Sequence, residues 1–178
     1  MLSKGMQWGF TLFELLVSVS ICAILLMLAI PSSRDFLVQY KMELTISEYK
    51  RLTALARLYA VNHTAVVTLC PLIENTCSHA DWGGPASVFV DFDSNGQLDP
   101  EDVTLHHVSQ IDTAIRLSYP RSAISFRPDG SVMALHNGTF RSCAKLSDGR
   151  AIGRALAINF SGKGSLKDAS DCEDYLPE

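Results

Sequence analysis

Glu14 is the only charged residue in an apolar run that extends from Phe10 to Ile30. An ionised carboxylate inside a membrane costs several kcal/mol unless a positive group offsets it. Its own helix offers none nearby, because Arg34 lies about 30 Å away at 1.5 Å per residue. A second group of acids sits at Asp91-x-Asp93-x-Asn95-Gly96-x-Leu98-Asp99-x-x-Asp102. Oxygen ligands fall at positions one, three, five and nine of that loop, with glycine at six, the spacing of an EF-hand calcium loop. Asp102 stands where a bidentate Glu is usual, and Val88 to Phe92 reads as a strand where a helix should flank the loop. The preferred reading is an acidic turn closed by Asp and Asn bonds to local backbone, with calcium as its rival.

Five cysteines are present. Cys22 lies in the apolar run, away from the others. Cys70, Cys77, Cys143 and Cys172 allow three pairings. The preferred set joins Cys70 to Cys77 across a small loop containing Pro71, and Cys143 to Cys172, tying the tail back to a strand. Zinc is the weaker alternative, since no Cys-x-x-Cys occurs and His79 is the only histidine close by. His63, His79, His106, His107 and His136 make no ligand spacing with acids or cysteines on one face. There is no Gly-x-Ser-x-Gly, no phosphate loop and no Cys/His arrangement, so no enzyme and no cofactor is expected.

Charge is unevenly placed. From Cys70 to Thr113 there are eight acids and no Lys or Arg; from Ala114 to Lys167 there are nine bases and two acids; the tail from Asp168 carries five acids. Solvated loops account for most charge runs, yet the middle block could attract phosphate. Its candidate contacts are Arg141, Lys145, Arg150, Arg154, Lys163 and Lys167.

The elements that position these residues follow from periodicity. With 178 residues and a net charge of −4, the chain suits one domain plus an anchor. The run from Phe10 has about the 20 residues needed to cross a bilayer. Lys4 before it argues for the N-terminus inside, which sends the region after Pro31 to an oxidising outer face. Pro31 predicts a kink or local melting. Beyond it, Leu37, Tyr40, Leu44, Leu52, Leu55 and Tyr59 recur at mostly helical spacing, so one long helix is expected from about Phe10 to Val61. Strands are expected at 65–70, 87–92, 103–108, 123–126, 131–136, 139–143 and 155–160. Turn signals at Gly83-Gly84-Pro85, Asn95-Gly96, Pro128-Asp129-Gly130 and Asn137-Gly138 separate them. The expected fold class is α+β, a long N-terminal helix packed on an antiparallel β head of two small sheets. The expected organisation is 1–9 leader, 10–31 membrane and assembly helix, 32–62 amphipathic continuation and 63–178 head.

Gly9-Phe10-Thr11-Leu12-Phe13-Glu14-Leu15, followed by the apolar run and Pro31, resembles the processing motif of type IV pilin-like precursors. That resemblance implies cleavage after Gly9 by a prepilin peptidase and methylation of the new N-terminus, Phe10. It also implies pairing of Glu14 with a terminal amine, and assembly with other major and minor pilins through the helix. The protein would wait in the bacterial inner membrane as a single-pass precursor and then join a pilus or pseudopilus in the periplasm or at the cell surface. Leu69-Cys70-Pro71, Cys77, Trp82-Gly83, Val88-Phe89-Val90-Asp91 and Gly138-Thr139-Phe140-x-x-Cys143 are similar to the FimT/FimU-type minor pilins and their secretion counterpart, GspH. The implied function is that of a minor pilin near the filament tip, with a minor pseudopilin of type II secretion as one alternative. DNA capture is another, because FimT-type minor pilins bind DNA through a Gly-Arg-x-Arg loop. The matching stretch here, Ser161-Gly162-Lys163-Gly164-Ser165, holds one base where the motif has two, so DNA is not favoured.

Overall fold

The computed structural model describes residues 10–78 and 82–175, with the side chains of 28–33, 174 and 175 outside the described set. Helix α1 runs over Leu12–His63, 52 residues, or about 80 Å at 1.5 Å per residue. Thr11 caps its start, its hydroxyl accepting from the Glu14 N–H at 3.2 Å. Thr64, in the left-handed region at φ 52°, closes the other end by donating its N–H to Ala60 O. The helix continues through Pro31, so the local melting expected there does not occur. A proline removes one backbone donor, and strong helix formers precede this one.

The face of α1 that packs on the head is not the expected stripe. Leu37, Tyr40, Leu44 and Leu55 are exposed, and of that stripe only Leu52 is fully buried. The buried face is Met42, Thr45, Ile46, Tyr49, Leu52, Thr53, Ala56 and Ala60. Small residues let sheets approach the helix closely. The two threonines bury their hydroxyls without loss by donating back to Lys41 O at 2.9 Å and Tyr49 O at 3.0 Å.

In the first sheet, β1 (Val67–Ile73) is central. It pairs antiparallel with β3 (Ala86–Val90) on one side and β6 (Ile124–Phe126) on the other, Leu69 standing opposite both Val88 and Ile124. β4 (Val103–Val108) extends the sheet beyond β3, and β2 (Thr76–Cys77) folds back on the end of β1. The second sheet has the order β5 (Ile115–Ser118), β7 (Gly138–Lys145), β8 (Ala151–Ile158), β9 (Gly164–Asp168), all antiparallel. A short 3₁₀ turn, η1 (Cys172–Tyr175), follows. Residues 131–136 are not a strand. One bridge joins Val132 to Phe126, and the chain then turns at Met133–His136, with His136 N–H on Met133 O at 3.0 Å and Leu135 at φ 67°. Asn137-Gly138 opens β7 instead of making a hairpin turn. The turn at Pro128-Asp129-Gly130 does form, Gly130 N–H meeting Arg127 O at 2.8 Å.

The core lies between α1 and the two sheets. Phe140 is its aromatic centre, with ring centroids 5.0 Å from Tyr49, 4.9 Å from Trp82 and 4.2 Å from Tyr119. Below that core the head stays on the helix. Asp35 accepts from both the N–H and the hydroxyl of Ser147 in the β7–β8 turn, at 2.9 and 2.8 Å. Lys41 pairs with Asp112 at 2.6 Å, and Arg154 pairs with Glu43.

Candidate functional site

Every described residue of the chain up to Met27 is exposed. Glu14 lies there in an open groove along the helix with Thr11, Val17, Ser18, Ile21 and Cys22. Its carboxylate has no ion-pair partner among the described residues. Phe10 is 83% exposed immediately before the cap. A carboxylate within one turn of a helix N-terminus is favourably placed by the helix dipole, and that same end is where a free amine at residue 10 would stand. Gly9 lies outside the described residues, as does Lys4. Among the described residues no helix is long and apolar enough to cross a membrane. The span expected over 10–31 runs into 28–33, whose side chains are not described.

The head contains the two expected disulfides, Cys70–Cys77 and Cys143–Cys172, and Cys22 is free. Cys143–Cys172 pins the acidic tail on the second sheet, whereas Cys70–Cys77 joins β1 to β2; there Cys77 N–H and Asn75 O bond the acidic loop 91–102 at Gly96 O and Leu98 N–H. Leu98 packs beside Cys70, Phe89 and Ala123, and Asp91 is 1% exposed. The Asp91 carboxylate accepts from Asn95 N–H at 3.1 Å, Gly96 N–H at 3.2 Å and the Thr68 hydroxyl at 3.0 Å. The Thr68 hydroxyl also lies 2.8 Å from that of Ser125. Burial raises the Asp91 pKa against these hydrogen bonds, which lower it.

This geometry corrects the calcium reading of Asp91, Asp93, Asn95, Asp99 and Asp102. The Asn95 amide donates to Asp93 at 2.9 Å and to Asp99 at 2.7 Å, drawing the two acids onto itself. Asp102 accepts from the Phe92 and Asp99 N–H groups. The oxygens are turned to backbone donors, and no described group of His, Cys, Asp or Glu could hold a metal ion. His136 serves the same sheet: its Nδ1 accepts from Ser125 N–H at 3.1 Å, and burial pushes its pKa down. His79 lies outside the described residues.

The six candidate phosphate contacts do not form one site. Arg154, from the helix-facing side of β8, pairs with Glu43 and Asp168. Arg150 pairs with Asp148 at 2.6 Å inside the β7–β8 turn, and Arg141 pairs with Asp171 of the tail at 2.8 Å. Lys145, Lys163 and Lys167 are exposed and sit at the end of β7, in the β8–β9 turn and on β9. Glycine in the aligned Gly162-Lys163-Gly164 loop answers a packing need. Gly162 has φ 74°, and a Cβ there would overlap Gly130 O and crowd Arg57, whose Nε donates to that carbonyl at 3.0 Å. Arg57 as the post joining two turns carried no signal in the sequence, where it reads as helix surface.

Comparison with known proteins agrees with this architecture. The family model described as type II transport protein GspH matches residues 45–162, and the prokaryotic N-terminal methylation motif matches residues 7–30. Two crystal structures of the type IV minor pilin FimU from Pseudomonas aeruginosa share the fold. One aligns with TM-score 0.56 at 20% identity, over 80% of this chain and 99% of that one. The other, in a second crystal form, aligns with TM-score 0.51 at 21% identity, over 75% and 98%. Comparison with curated proteins finds no match. With the family model spanning more than half of its length and the methylation motif ahead of it, the chain belongs to the GspH family of type IV pilin-like proteins.

Proposed function

We propose that this chain is a non-catalytic minor pilin, cut after Gly9 by a prepilin peptidase, methylated on Phe10 and inserted near the tip of a type IV filament, where it supports assembly. Residues 1–9 act as leader, 10–31 as membrane and assembly helix, and 32–62 as the support of the head. The precursor waits in the inner membrane with its N-terminus in the cytoplasm. The observation that carries this reading is the Glu14 carboxylate, without an ion-pair partner among the described residues, at the start of the exposed apolar first part of α1. The free amine of Phe10, on this or a neighbouring subunit, is the charge that offsets it and sets the axial register.

Glu14→Ala tests it. The variant is cleaved and held in the membrane, because the span becomes more apolar, yet it is absent from sheared filaments. Normal incorporation would refute the pairing. A mature N-terminus other than Phe10 by mass spectrometry would refute the processing. A minor pseudopilin of type II secretion is the second reading, supported by the description of the matched family. Swapping the gene into strains lacking one or the other system separates the two. DNA capture has little support, since Arg141, Arg150 and Arg154 are already paired with acids of this chain.

A further inference from the structure

β9 is an open edge of the second sheet. Asn159 N–H donates to Lys163 O, and Ala169 N–H donates to Gly153 O. Both bonds follow the register that sets Ala157 against Ser165 and Ala155 against Lys167. Hydrogen-bonded pairs alternate along an antiparallel ladder, so Lys163, Ser165, Lys167 and Ala169 turn their main-chain groups to β8. Gly164, Leu166 and Asp168 turn theirs outward, and no described strand pairs with them. The five residues of β9 make this unpaired edge about 17 Å long.

The two sides of the edge differ. Leu156 is buried in the core, so Leu166, which stands opposite it, lies on the helix side, 45% exposed. Beside it Gly164 carries no side chain, and a Cβ there would press on Leu156 Cδ1 at 3.0 Å. α1 runs alongside. Arg154 of β8 reaches Glu43, and Gly162 at the head of β9 packs on Arg57. Ser47, Lys50 and Ala54 lie on the helix line between Glu43 and Arg57, and all three are exposed. On the opposite face of the sheet Lys167 is exposed as well. Neither lysine has an acidic partner among the described residues, since Asp168 is taken by Arg154.

We propose that β9 is a docking edge for a second protein, which adds an extended acidic segment as the fifth strand of this sheet. Main-chain bonds to Gly164, Leu166 and Asp168 hold the segment. Its residue opposite Leu166 is apolar. Its residues on the other face are acidic and meet Lys167, while Lys50 adds to the positive field from the helix side. Lysine on an edge opposes pairing with a like strand, so a second copy of β9 is the poorer occupant. The proposal does not involve Glu14, so the reading of that residue can fail without it.

The test uses the full chain in detergent micelles and a synthetic peptide of about nine residues that alternates Val and Glu, with affinity read by fluorescence anisotropy. The peptide residues opposite Gly164 and Leu166 form hydrogen-bonded pairs, so N-methylation of the Val residues removes the donors that face β9. The parent peptide should bind, and its N-methylated form should bind about tenfold more weakly. A peptide with Lys in place of Glu should also bind about tenfold more weakly, and that difference should shrink at high salt. Leu166→Pro deletes an outward N–H and spares the ladder to β8, and it should weaken binding of the parent peptide about tenfold. Lys50→Glu with Lys167→Glu should reverse the preference between the Glu and Lys peptides. The proposal is overturned by no binding of the parent peptide, by equal binding of its N-methylated form, by a folded Leu166→Pro chain of unchanged affinity, or by a preference for Glu that survives the charge reversal. Self-association of the chain that Leu166→Pro abolishes, without peptide binding, names a second copy as the occupant and overturns it too. If Leu166→Pro unfolds the head, the N-methylated peptide and the charge reversal decide.

Discussion

On the first sheet the covering segment is the acidic loop 91–102, bonded through Gly96 O and Leu98 N–H to the β1–β2 hairpin that Cys70–Cys77 closes. On the second it is the acidic tail, pinned by Cys143–Cys172. In the loop a buried carboxylate, Asp91, is satisfied by two backbone N–H groups and a hydroxyl of its own surroundings. In the tail an acid that is 40% exposed pairs with an arginine that is 28% exposed. The loop is therefore integral to its sheet, while the tail is held at the surface, by its disulfide, the Ala169 N–H bond to Gly153 O and the Arg141–Asp171 pair. Acids of one composition class thus serve as an internal anchor in one place and as a surface counter-charge in the other.

Five perturbations break or sharpen that contrast. The largest effect belongs to Cys143→Ser with Cys172→Ser. Its sequence separation of 29 makes the bond worth about 3.5 kcal/mol in the chain-entropy model, read as a shift in the denaturation midpoint. Loss of the Cys70–Cys77 bond, with a separation of 7, should cost about 2.5 kcal/mol in the same assay. A reversed order would show that loop length does not set the two contributions. Next, Asp91→Ala strips the acceptor from the buried Thr68 hydroxyl and from two part-buried N–H groups and should destabilise by about 2 kcal/mol, whereas Asp171→Asn breaks a partly exposed pair and should cost less than about 1 kcal/mol. Equal losses at the two positions would erase the distinction between anchor and counter-charge.

The smallest effect is on pH. His136 has its folded pKa below the ordinary 6.5, because burial and then the Arg121 charge disfavour its protonated form. As pH falls through 6.5 the unfolded chain takes up a proton that the folded chain resists, so stability declines on acidification. His136→Asn keeps an acceptor for the Ser125 N–H and should flatten that decline. An unchanged slope of Tm between pH 7.5 and 5.5 would remove His136 as its source.

The long helix, two antiparallel sheets and both disulfides were legible in the sequence, because apolar runs, turn dipeptides and an even set of cysteines carry those signals locally. The phase of the helix was not. Large residues such as Leu37 and Leu44 marked one stripe, while the sheets cover the side with Met42, Ile46, Tyr49 and Leu52, interleaved with Thr45, Thr53, Ala56 and Ala60. Ser131 to His136 alternated like a strand but lost its partner to the turn at Leu135. β9, Gly-Ser-Leu-Lys-Asp, is a polar edge strand exposed along its length, so it has no burial pattern to betray it. The calcium spacing failed for a different reason: a linear motif cannot report that Asp91 is turned into the sheet.

The bond from Asp35 to Ser147 means that this protein has no neck. The head grips α1 only four residues beyond Pro31, about 6 Å along the axis. The contact between head and helix thus extends from Asp35 to the aromatic core around Tyr49, some 21 Å further up at the same rise. Bending between the head and the N-terminal segment is then left to the residues before Asp35.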